Sequence, residues 1–413
     1  MGMVDRFIGS PRDRFARQVL ATVRGAGMAE AWYDRDQFVI GYRRAPGSSD
    51  DGWIYLGNVF HECQGLGRAE RTDRIVRLVS SVVNSPVVPE SWEQARPHLR
   101  PVLRAATFAQ SAASGGRQPL RRPAWPYLQE LAVLDYPTSM AYVTVDQTRT
   151  WGVPETVVFD AARANLAALA GDSATAAGGD DGPAGGDDGP AGPAVLRFVD
   201  TGDAYFASRL LLDGWLGSLA PRVGGRPVAF VPDHNTLVVV ADEPDALSAV
   251  FKLVEEEYGD AARQVSPQAY TVDGYGAVVP YAAPDGHPLA AAVGRAGALL
   301  AATEYQAQAD WLTKEYERDG RDIFVGKLIL AGRDDGSVFT VASWAEGVDT
   351  LLPRADYVAF GSDQRPSFFV PWDVVEREVD LVPAEGLYPV RYRLTAWPPA
   401  PVVDRLNARA VPL

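Results

Sequence analysis

The stretches LQELAVLDYPTSMAYVTVD (128–146) and VPETVVFDAARANLAALAG (153–171) decide the fold class of this chain. The first stretch predicts two strands that break at Pro137, because proline cannot continue a central strand. The second predicts an amphipathic helix in which Pro154 suits the first turn and Gly171 can close the last one. Together with the helices and strands predicted along the rest of the chain, this block predicts an α+β protein.

The region before this block predicts a small lobe over residues 1–90, built as helix, hairpin and helix. Apolar residues recur at helical spacing in 11–26 and again in about 68–84. Between them, QFVIGYR and GWIYLGNVF (37–43 and 52–60) predict two strands joined by a polar loop.

The region after the block predicts two further parts. Residues 91–285 form a mixed α/β middle lobe, with two strands around the turn of RPVAFVPDHNTLVVVAD (226–242). A broken helix is predicted over 203–223. Residues 286–413 form a C-terminal module with an alanine-rich helix at about 288–318, followed by strands.

A tandem GGDDGPA repeat interrupts the middle lobe, and we predict a flexible insertion over 172–193. The adjacent Asp pairs lack the alternating oxygen ligands and the terminal Glu of a calcium loop. Gly, Pro, Asp and Ala also cannot bury enough surface to offset the conformational entropy of the chain. The repeat therefore predicts a surface loop without a metal.

The charge of the chain is divided unevenly along its length. Residues 1–130 carry 18 Arg and 13 Asp or Glu; of the 39 basic and 53 acidic residues in total, 21 and 40 remain, so the two parts are +5 and −19. Such asymmetry is typical of a chain that meets a charged partner, or whose parts attract each other. The acidic total of −14 argues against a dedicated nucleic-acid-binding protein.

Composition also predicts the compartment. The chain has one cysteine, Cys63, so it can form no internal disulfide and no cysteine-based zinc site. Its start lacks the apolar core of a secretory signal, and no apolar run reaches the length of a membrane span. We expect a cytoplasmic protein without a membrane partner.

No catalytic, metal or cofactor motif is recognisable. The sequence contains no G-x-S-x-G and no phosphate-binding G-x-x-x-x-G-K-[ST]. Its four histidines, at positions 61, 98, 234 and 287, are far apart, and HECQG at 61–65 lacks the second histidine of a zinc-protease helix. We expect no metal, no cofactor and no catalytic residue that the sequence can identify.

An arginine cluster over residues 96–122 is the clearest candidate binding feature. Arg96, Arg100 and Arg104 recur every four residues, so in a helix they would form one basic stripe. Two prolines weaken the helix prediction. The cluster predicts a surface for an anion, nucleic acid or an acidic partner; the alternatives are internal ion pairing and plain solvation.

An enzyme site assembled from scattered residues is an alternative. Its candidates are Arg104, Tyr136, Arg209, Asp233 and His234, and it requires several of them to converge in one pocket. Arg209 precedes an apolar run and also fits a buried structural ion pair.

Several blocks resemble the YtpQ-like family of bacterial proteins over roughly residues 10–282. They are RPVLRAATF (100–108), the 131–169 block, GDAYFASRLLL (202–212) and RPVAFVPDHNTLVVV (226–240). The resemblance implies a cytoplasmic α+β protein and no particular activity.

We therefore expect a non-catalytic binding protein that acts through protein contacts. Three observations favour it: the missing catalytic constellation, the charge asymmetry, and a C-terminal module that carries Trp344, Trp372 and Trp397. Tryptophan is enriched both in interface hot spots and in cores, and for these three the core is the simpler expectation.

Overall fold

The computed structural model describes residues 10–28, 30–43, 51–83, 89–110, 118–136, 139–176, 195–199, 205–284, 286–334, 336–362 and 365–413. Most of the predicted insertion 172–193 lies outside the described residues. The helix before it continues to Ala176, so the prediction that Gly171 ends this helix was wrong. A single glycine lowers the stability of an alanine-rich helix but does not end it.

The fold is built from 12 described α-helices and 19 described strands. The helices are α1 Pro11–Gly25, α2 Gly57–Glu62, α3 Arg68–Val83, α4 Trp92–Ala95, α5 Val145–Trp151, α6 Glu155–Ala176, α7 Trp215–Ser218, α8 Ala220–Val223, α9 Pro244–Asp260, α10 Ala290–Arg318, α11 Trp372–Glu378 and α12 Ala400–Asn407. The strands are β1 Ala31–Asp34, β2 Val39–Arg43, β3 Asp51–Tyr55, β4 Leu99–Ala105, β5 Arg121–Trp125, β6 Leu128–Tyr136, β7 Ser139–Tyr142, β8 Leu196–Val199, β9 Pro227–Asp233, β10 Thr236–Ala241, β11 Gln264–Val272, β12 Val278–Pro280, β13 Phe324–Val325, β14 Leu328–Gly332, β15 Val338–Ala345, β16 Thr350–Pro353, β17 Tyr357–Ser362, β18 Arg365–Pro371 and β19 Arg391–Leu394.

The chain divides into two compact units, which we call unit one and unit two. Unit one is Met1–Leu99 with Val133–Tyr142, and unit two is Arg100–Ala132 with Val143–Leu413. The division differs from the three sequence-based parts, whose limits at 90 and 285 stay predictions.

Unit one has a core between its sheet and two helices. The sheet has the order β1-β2-β3, and its inner face packs with α1 and α3 around Phe15, Ile40 and Ile75. In α1 the capping box of Ser10 and Asp13 satisfies the first backbone N–H groups. Cys63 lies in this core, where burial raises the pKa of its thiol.

One sequence-based prediction for unit one is confirmed and another was wrong. The predicted hairpin is the antiparallel pair of β2 and β3, and the short β1, which was not predicted, adds a third strand by pairing with β2 from Ala31 to Asp34. The second predicted strand ends at Tyr55, and residues Gly57–Glu62 form α2 instead. Val59 and Cys63 are buried at a spacing of four, which is the period of a helix rather than of a strand.

The middle of unit two is an antiparallel five-stranded sheet of order β12-β11-β9-β10-β8. Its two faces are covered separately. One face packs against the short helices around Leu210 and Leu216, and the other packs against α9 and the beginning of α10. The central strands β9 and β10 are almost continuously apolar because both of their faces are buried.

The predicted broken helix at 203–223 is a series of short turns. A 3₁₀ helix covers Ala207–Leu211, and α7 and α8 follow. Gly214 has a positive φ of 72°, a backbone conformation that interrupts a helix and that glycine adopts most readily. The prediction of a break near Gly214 is confirmed, but the α-helical form of the segment before it was wrong.

The C-terminal part of unit two contains two further sheets. The orders are β14-β15-β17-β18 and β13-β16-β19. Trp344 and Trp372 are buried between these sheets and their helices, and Trp397 packs against the same core. The expectation that these tryptophans fill a core is confirmed.

Helix α10 connects these layers within unit two. It is 29 residues long. Its first turns pack on the five-stranded sheet through Ala296, its middle packs on the C-terminal core through Tyr305, and its last turns pack through Leu312.

The α+β fold class is confirmed, with helix in 41% and strand in 31% of the structure.

Candidate ligand-binding site

The arginines Arg96, Arg100 and Arg104 do not form a helical stripe. Arg96 is exposed in a short 3₁₀ turn at Arg96–His98, whereas Arg100 and Arg104 lie on strand β4. Pro97 and Pro101 permit an extended chain but not a regular helix. The basic stripe was predicted only for a helix, and these three residues do not share one.

A further arginine of the 96–122 cluster is used internally. Arg122 donates to Glu130 at 2.7 Å, and Arg163 of α6 donates to the two oxygens of the same carboxylate at 2.9 and 2.7 Å. Glu130 is fully buried. A buried carboxylate with two guanidinium partners is a structural arrangement that holds β5, β6 and α6 together.

The turn between β9 and β10 contains two predicted site residues. The carboxylate of Asp233 accepts the backbone N–H of Asn235 at 2.6 Å, which is the normal use of an aspartate in a tight turn. The imidazole Nε2 of His234 lies 3.2 Å from a guanidinium nitrogen of Arg263. Burial, then Arg104 and Arg263, lower the pKa of His234 to about 3. A histidine with this pKa is a weak general base at neutral pH.

Arg209 and Tyr136 are the remaining candidates of the enzyme hypothesis, and each is described within its own unit. Arg209 is buried in the 3₁₀ helix, with its guanidinium 4.4 Å from the ring centroid of Phe206. The hydroxyl of the neighbouring Ser208 accepts the backbone N–H of Leu103, so Arg209 lies next to the strand that carries Arg104. Tyr136 belongs to unit one, where its ring lies 4.7 Å from that of His98.

A different place in unit two offers the best candidate site, a cavity of about 490 Å³. Its walls come from α10, from strands β15 and β17 with the loops beside them, and from Tyr127 and Gln268 in the middle of the chain. Such a volume is within the range of pockets that enclose small organic ligands. Residues from both sides of the predicted domain limit at 285 line this cavity.

The wall formed by α10 is flat because its residues are small. Gly294, Gly297, Ala298 and Ala301 all line the cavity. A Cβ atom at Gly294 would have no neighbouring atom within 4 Å, while a Cβ atom at Gly297 would lie 3.1 Å from the side-chain amide nitrogen of Gln268. Glycine on a helix lets a flat group approach the backbone closely. This wall therefore suits a planar ligand.

The opposite wall is aromatic and cationic. The guanidinium of Arg333 lies 4.4 Å from the centroid of Phe339 and donates to the hydroxyl of Tyr357 at 3.0 Å. Arg354 also lines the cavity, in the loop before β17, and its backbone N–H donates to the hydroxyl of Tyr305. Among the described residues, no carboxylate lies within 4.0 Å of either guanidinium.

Among the described lining residues one carboxylate is present, and it is already engaged. Asp356 accepts the backbone N–H of Thr340 at 2.7 Å and its hydroxyl at 2.9 Å. Gln268 differs, because its Oε1 is buried and has no hydrogen-bond partner among the described residues. The cavity thus combines two guanidinium groups that lack a carboxylate partner among the described residues with walls of small and aromatic residues. This arrangement can bind an organic anion.

Two buried charged groups lie on or against α10, the helix that lines the cavity. Arg391 is fully buried, with its N–H groups donated to Gln308 and to the carbonyls of Gly326, Leu351 and Tyr305. Burial lowers the pKa of Arg391 to about 10. Glu304, only 3% exposed, accepts the backbone N–H of Thr107 at 2.7 Å. Burial raises the pKa of Glu304 to about 7, which the bond from Thr107 partly opposes.

Sequence reasoning missed every residue of this cavity. The one usable signal was the GRAGA segment at 294–298, because two glycines in a long helix weaken it without an apparent reason. Arg333 and Arg354 had no recognisable pattern, since they are brought together only by the pairing of β14, β15 and β17.

No family model, curated protein or solved structure matches the chain. The resemblance to the YtpQ-like family therefore stays a prediction. Within the described ranges, no three His, Cys, Asp or Glu side chains are grouped as metal ligands would be. The helices described here also include none that is long and apolar enough to cross a membrane.

Proposed function

We propose that this protein binds a small organic anion with a flat ring in the cavity beside α10. The observation that carries the proposal is the pair Arg333 and Arg354, which face a glycine-lined cavity without a carboxylate partner among the described residues. Guanidinium groups bind carboxylates, sulfonates and phosphates through charge-assisted hydrogen bonds. The ring would lie between the glycines of α10 and Phe339.

Binding rather than catalysis is favoured by what surrounds the two arginines. Asp356 is held by Thr340, and the described lining residues include no histidine, cysteine or lysine. These three residue types are the most usual general acids, bases and nucleophiles, and burial raises the pKa of Tyr127, a further candidate in the lining. The proposal therefore keeps the non-catalytic binding function that the sequence suggested and assigns it a small ligand.

The proposal is tested by titrating 8-anilinonaphthalene-1-sulfonate (ANS), a flat aromatic sulfonate, into the full-length chain. We expect saturable fluorescence enhancement with one site. The uncharged parent N-phenyl-1-naphthylamine should bind at least about tenfold more weakly, because a hydrogen bond to a charged group contributes about 1.5–3 kcal/mol.

Arginine substitutions inside and outside the cavity test whether the charge of the cavity arginines binds the ligand. Arg333→Met and Arg354→Met keep the length of the side chain and remove its charge, and each should weaken ANS binding about tenfold. Arg226, whose guanidinium pairs with Asp242 instead, serves as the comparison as Arg226→Met. Absence of saturable binding, or equal binding by all four proteins, would contradict the proposal.

The other sequence-based hypotheses stay predictions. Action through a protein partner requires a complex in native lysate, and a chain that runs only as a free monomer in size-exclusion chromatography counts against it. Nucleic-acid binding through residues 96–122 requires retention on DNA or RNA that falls steeply with salt.

A further inference from the structure

We infer that Glu304 takes up a proton when an anion occupies the cavity, so that ligand binding and proton binding are coupled. The inference rests on the proposed function and adds its regulation. It depends on three observations: the burial of Glu304, its lack of a cationic partner, and its position on the helix that forms the wall of the cavity.

The first two observations concern the carboxylate itself. Glu304 is 3% exposed, and its Oε2 accepts the N–H of Thr107. Among the described residues, no Lys, Arg or His nitrogen lies within 4.0 Å of the carboxylate. Glu130, the other fully buried glutamate, has two arginines. Ionised Glu304 is therefore a buried negative charge without compensation, and protonation relieves it.

The groups that face Glu304 do not supply a counter-charge. Tyr258 comes from α9 and Tyr388 from the segment before β19, and burial raises the pKa of each phenol to about 12. Tyr388 donates its hydroxyl to the carbonyls of Trp125 and Leu128. Both phenols stay neutral across the physiological range. The titration at neutral pH belongs to Glu304, whose pKa is raised to about 7.

The third observation is the distance to the cavity. Ala301 lines the cavity and precedes Glu304 by three residues on α10, so their side chains are neighbours on one face of the helix. A second connection runs through the backbone: the N–H of Ala106, next to Thr107, donates to the carbonyl of Tyr127, which also lines the cavity. Glu304 is thus about one helical turn from a residue that lines the cavity, and we take about 10 Å as the separation between its carboxylate and a bound anion.

Two like charges at this separation repel each other appreciably. At about 10 Å and an effective dielectric constant of about 20, the repulsion shifts a pKa by about one unit. An anion in the cavity therefore raises the pKa of Glu304 further and draws in a proton near neutral pH. By reciprocal linkage, loss of that proton at high pH weakens anion binding by about tenfold.

The test is calorimetric titration of ANS into the full-length protein at pH 7.2, in bis-tris and in Tris. These buffers differ in ionisation enthalpy, and neither is an anion that competes for the cavity. The sulfonate does not titrate near neutral pH, so any proton uptake comes from the protein. We expect uptake of about half a proton per ANS bound, and a Kd that rises about tenfold from pH 6 to pH 9.

The Glu304→Gln variant decides the assignment. Gln keeps an acceptor for the N–H of Thr107 but cannot titrate, so proton uptake should vanish and the Kd should become independent of pH. Asp356→Asn changes the other carboxylate in reach, and the uptake should persist in it. Proton uptake that survives Glu304→Gln, or a wild-type Kd that is flat from pH 6 to 9 while ANS binds, would overturn the inference. Absence of ANS binding at every pH would instead overturn the proposed function.

Discussion

Unit two contains charged side chains of two kinds, and the comparison between them locates the site. Arg391 and Glu130 are fully buried, and each is surrounded by opposite charges or by carbonyl and amide acceptors. Arg333 and Arg354 are exposed to the cavity, and Glu304 is buried on α10, and none of the three has an oppositely charged partner among the described residues. The first kind stabilises the fold, and the second kind is available to a ligand or a proton.

The difference teaches how a binding arginine can be recognised in such a chain. The 39 basic residues of the sequence cannot be ranked by type or by spacing. Among the described residues, the guanidinium of Arg333 forms one hydrogen bond, to a neutral phenol, whereas that of Arg391 forms four. A guanidinium with few protein partners beside a cavity is a stronger sign of a ligand than clustering of arginines along the chain.

The largest predicted effect concerns Arg391. Arg391→Met removes the donors of four buried acceptors and should lower the free energy of unfolding by about 3–5 kcal/mol. Urea denaturation followed by circular dichroism measures it. A loss below about 1 kcal/mol would show that Arg391 does not hold Gln308 and the three carbonyls in place.

Glu304 should give the next largest effect, and it depends on pH. Its pKa in the folded protein, about 7, lies above the ordinary value of 4.5, so the folded chain holds a proton that the unfolded chain releases. Stability should therefore fall as the pH rises from about 4.5 to 7, by up to about 3 kcal/mol. In Glu304→Gln this contribution should be absent, so that the variant is more stable than the wild type at pH 8. Parallel pH profiles of the two proteins in urea would contradict this.

Glu130 should matter less than Arg391, because its partners can reach water. Glu130→Gln leaves Arg122 and Arg163, each about one-third exposed, without their shared carboxylate. We expect a loss of about 2 kcal/mol in the free energy of unfolding. Thermal and urea denaturation check it, with Glu257→Gln at a more exposed ion pair as the control.

The smallest effect on stability is predicted for the arginines of the cavity. Arg333→Met and Arg354→Met should each change the free energy of unfolding by less than about 0.5 kcal/mol, because neither guanidinium completes a buried network. The same urea experiment applies. A loss of more than about 2 kcal/mol at either position would place that arginine with Arg391 and remove it from the site.

Local sequence patterns predicted the elements well and the site not at all. Continuous apolar runs on both sides of the PDHN turn identified β9 and β10, and a period-3.6 pattern identified α9. The pattern at 52–60 misled because a strand and a following helix formed one apolar run, and only Val59 and Cys63 showed the change of period.

The cavity could not be predicted for a different reason. Gln268 and Arg354 are 86 residues apart, and they meet only because α10 packs on both β11 and the C-terminal sheets. The His234 turn and the Arg96–Arg104 series looked more promising, since their residues are close in the sequence. Choosing candidate site residues by their proximity in the sequence therefore selected side chains that already have interactions within the fold.

The most direct test of the central claim is steric and uses Gly294. A Cβ atom there would meet no atom within 4 Å, so Gly294→Ala should add one methyl group without a clash, and we expect Gly294→Leu to place a larger side chain on the cavity wall. Both replace a helix glycine and should not lower stability. Calorimetric titration with ANS should show binding to the wild type and to Gly294→Ala, and loss of at least about tenfold in affinity for Gly294→Leu. Equal affinity of the three proteins for ANS would show that the anion does not bind in this cavity.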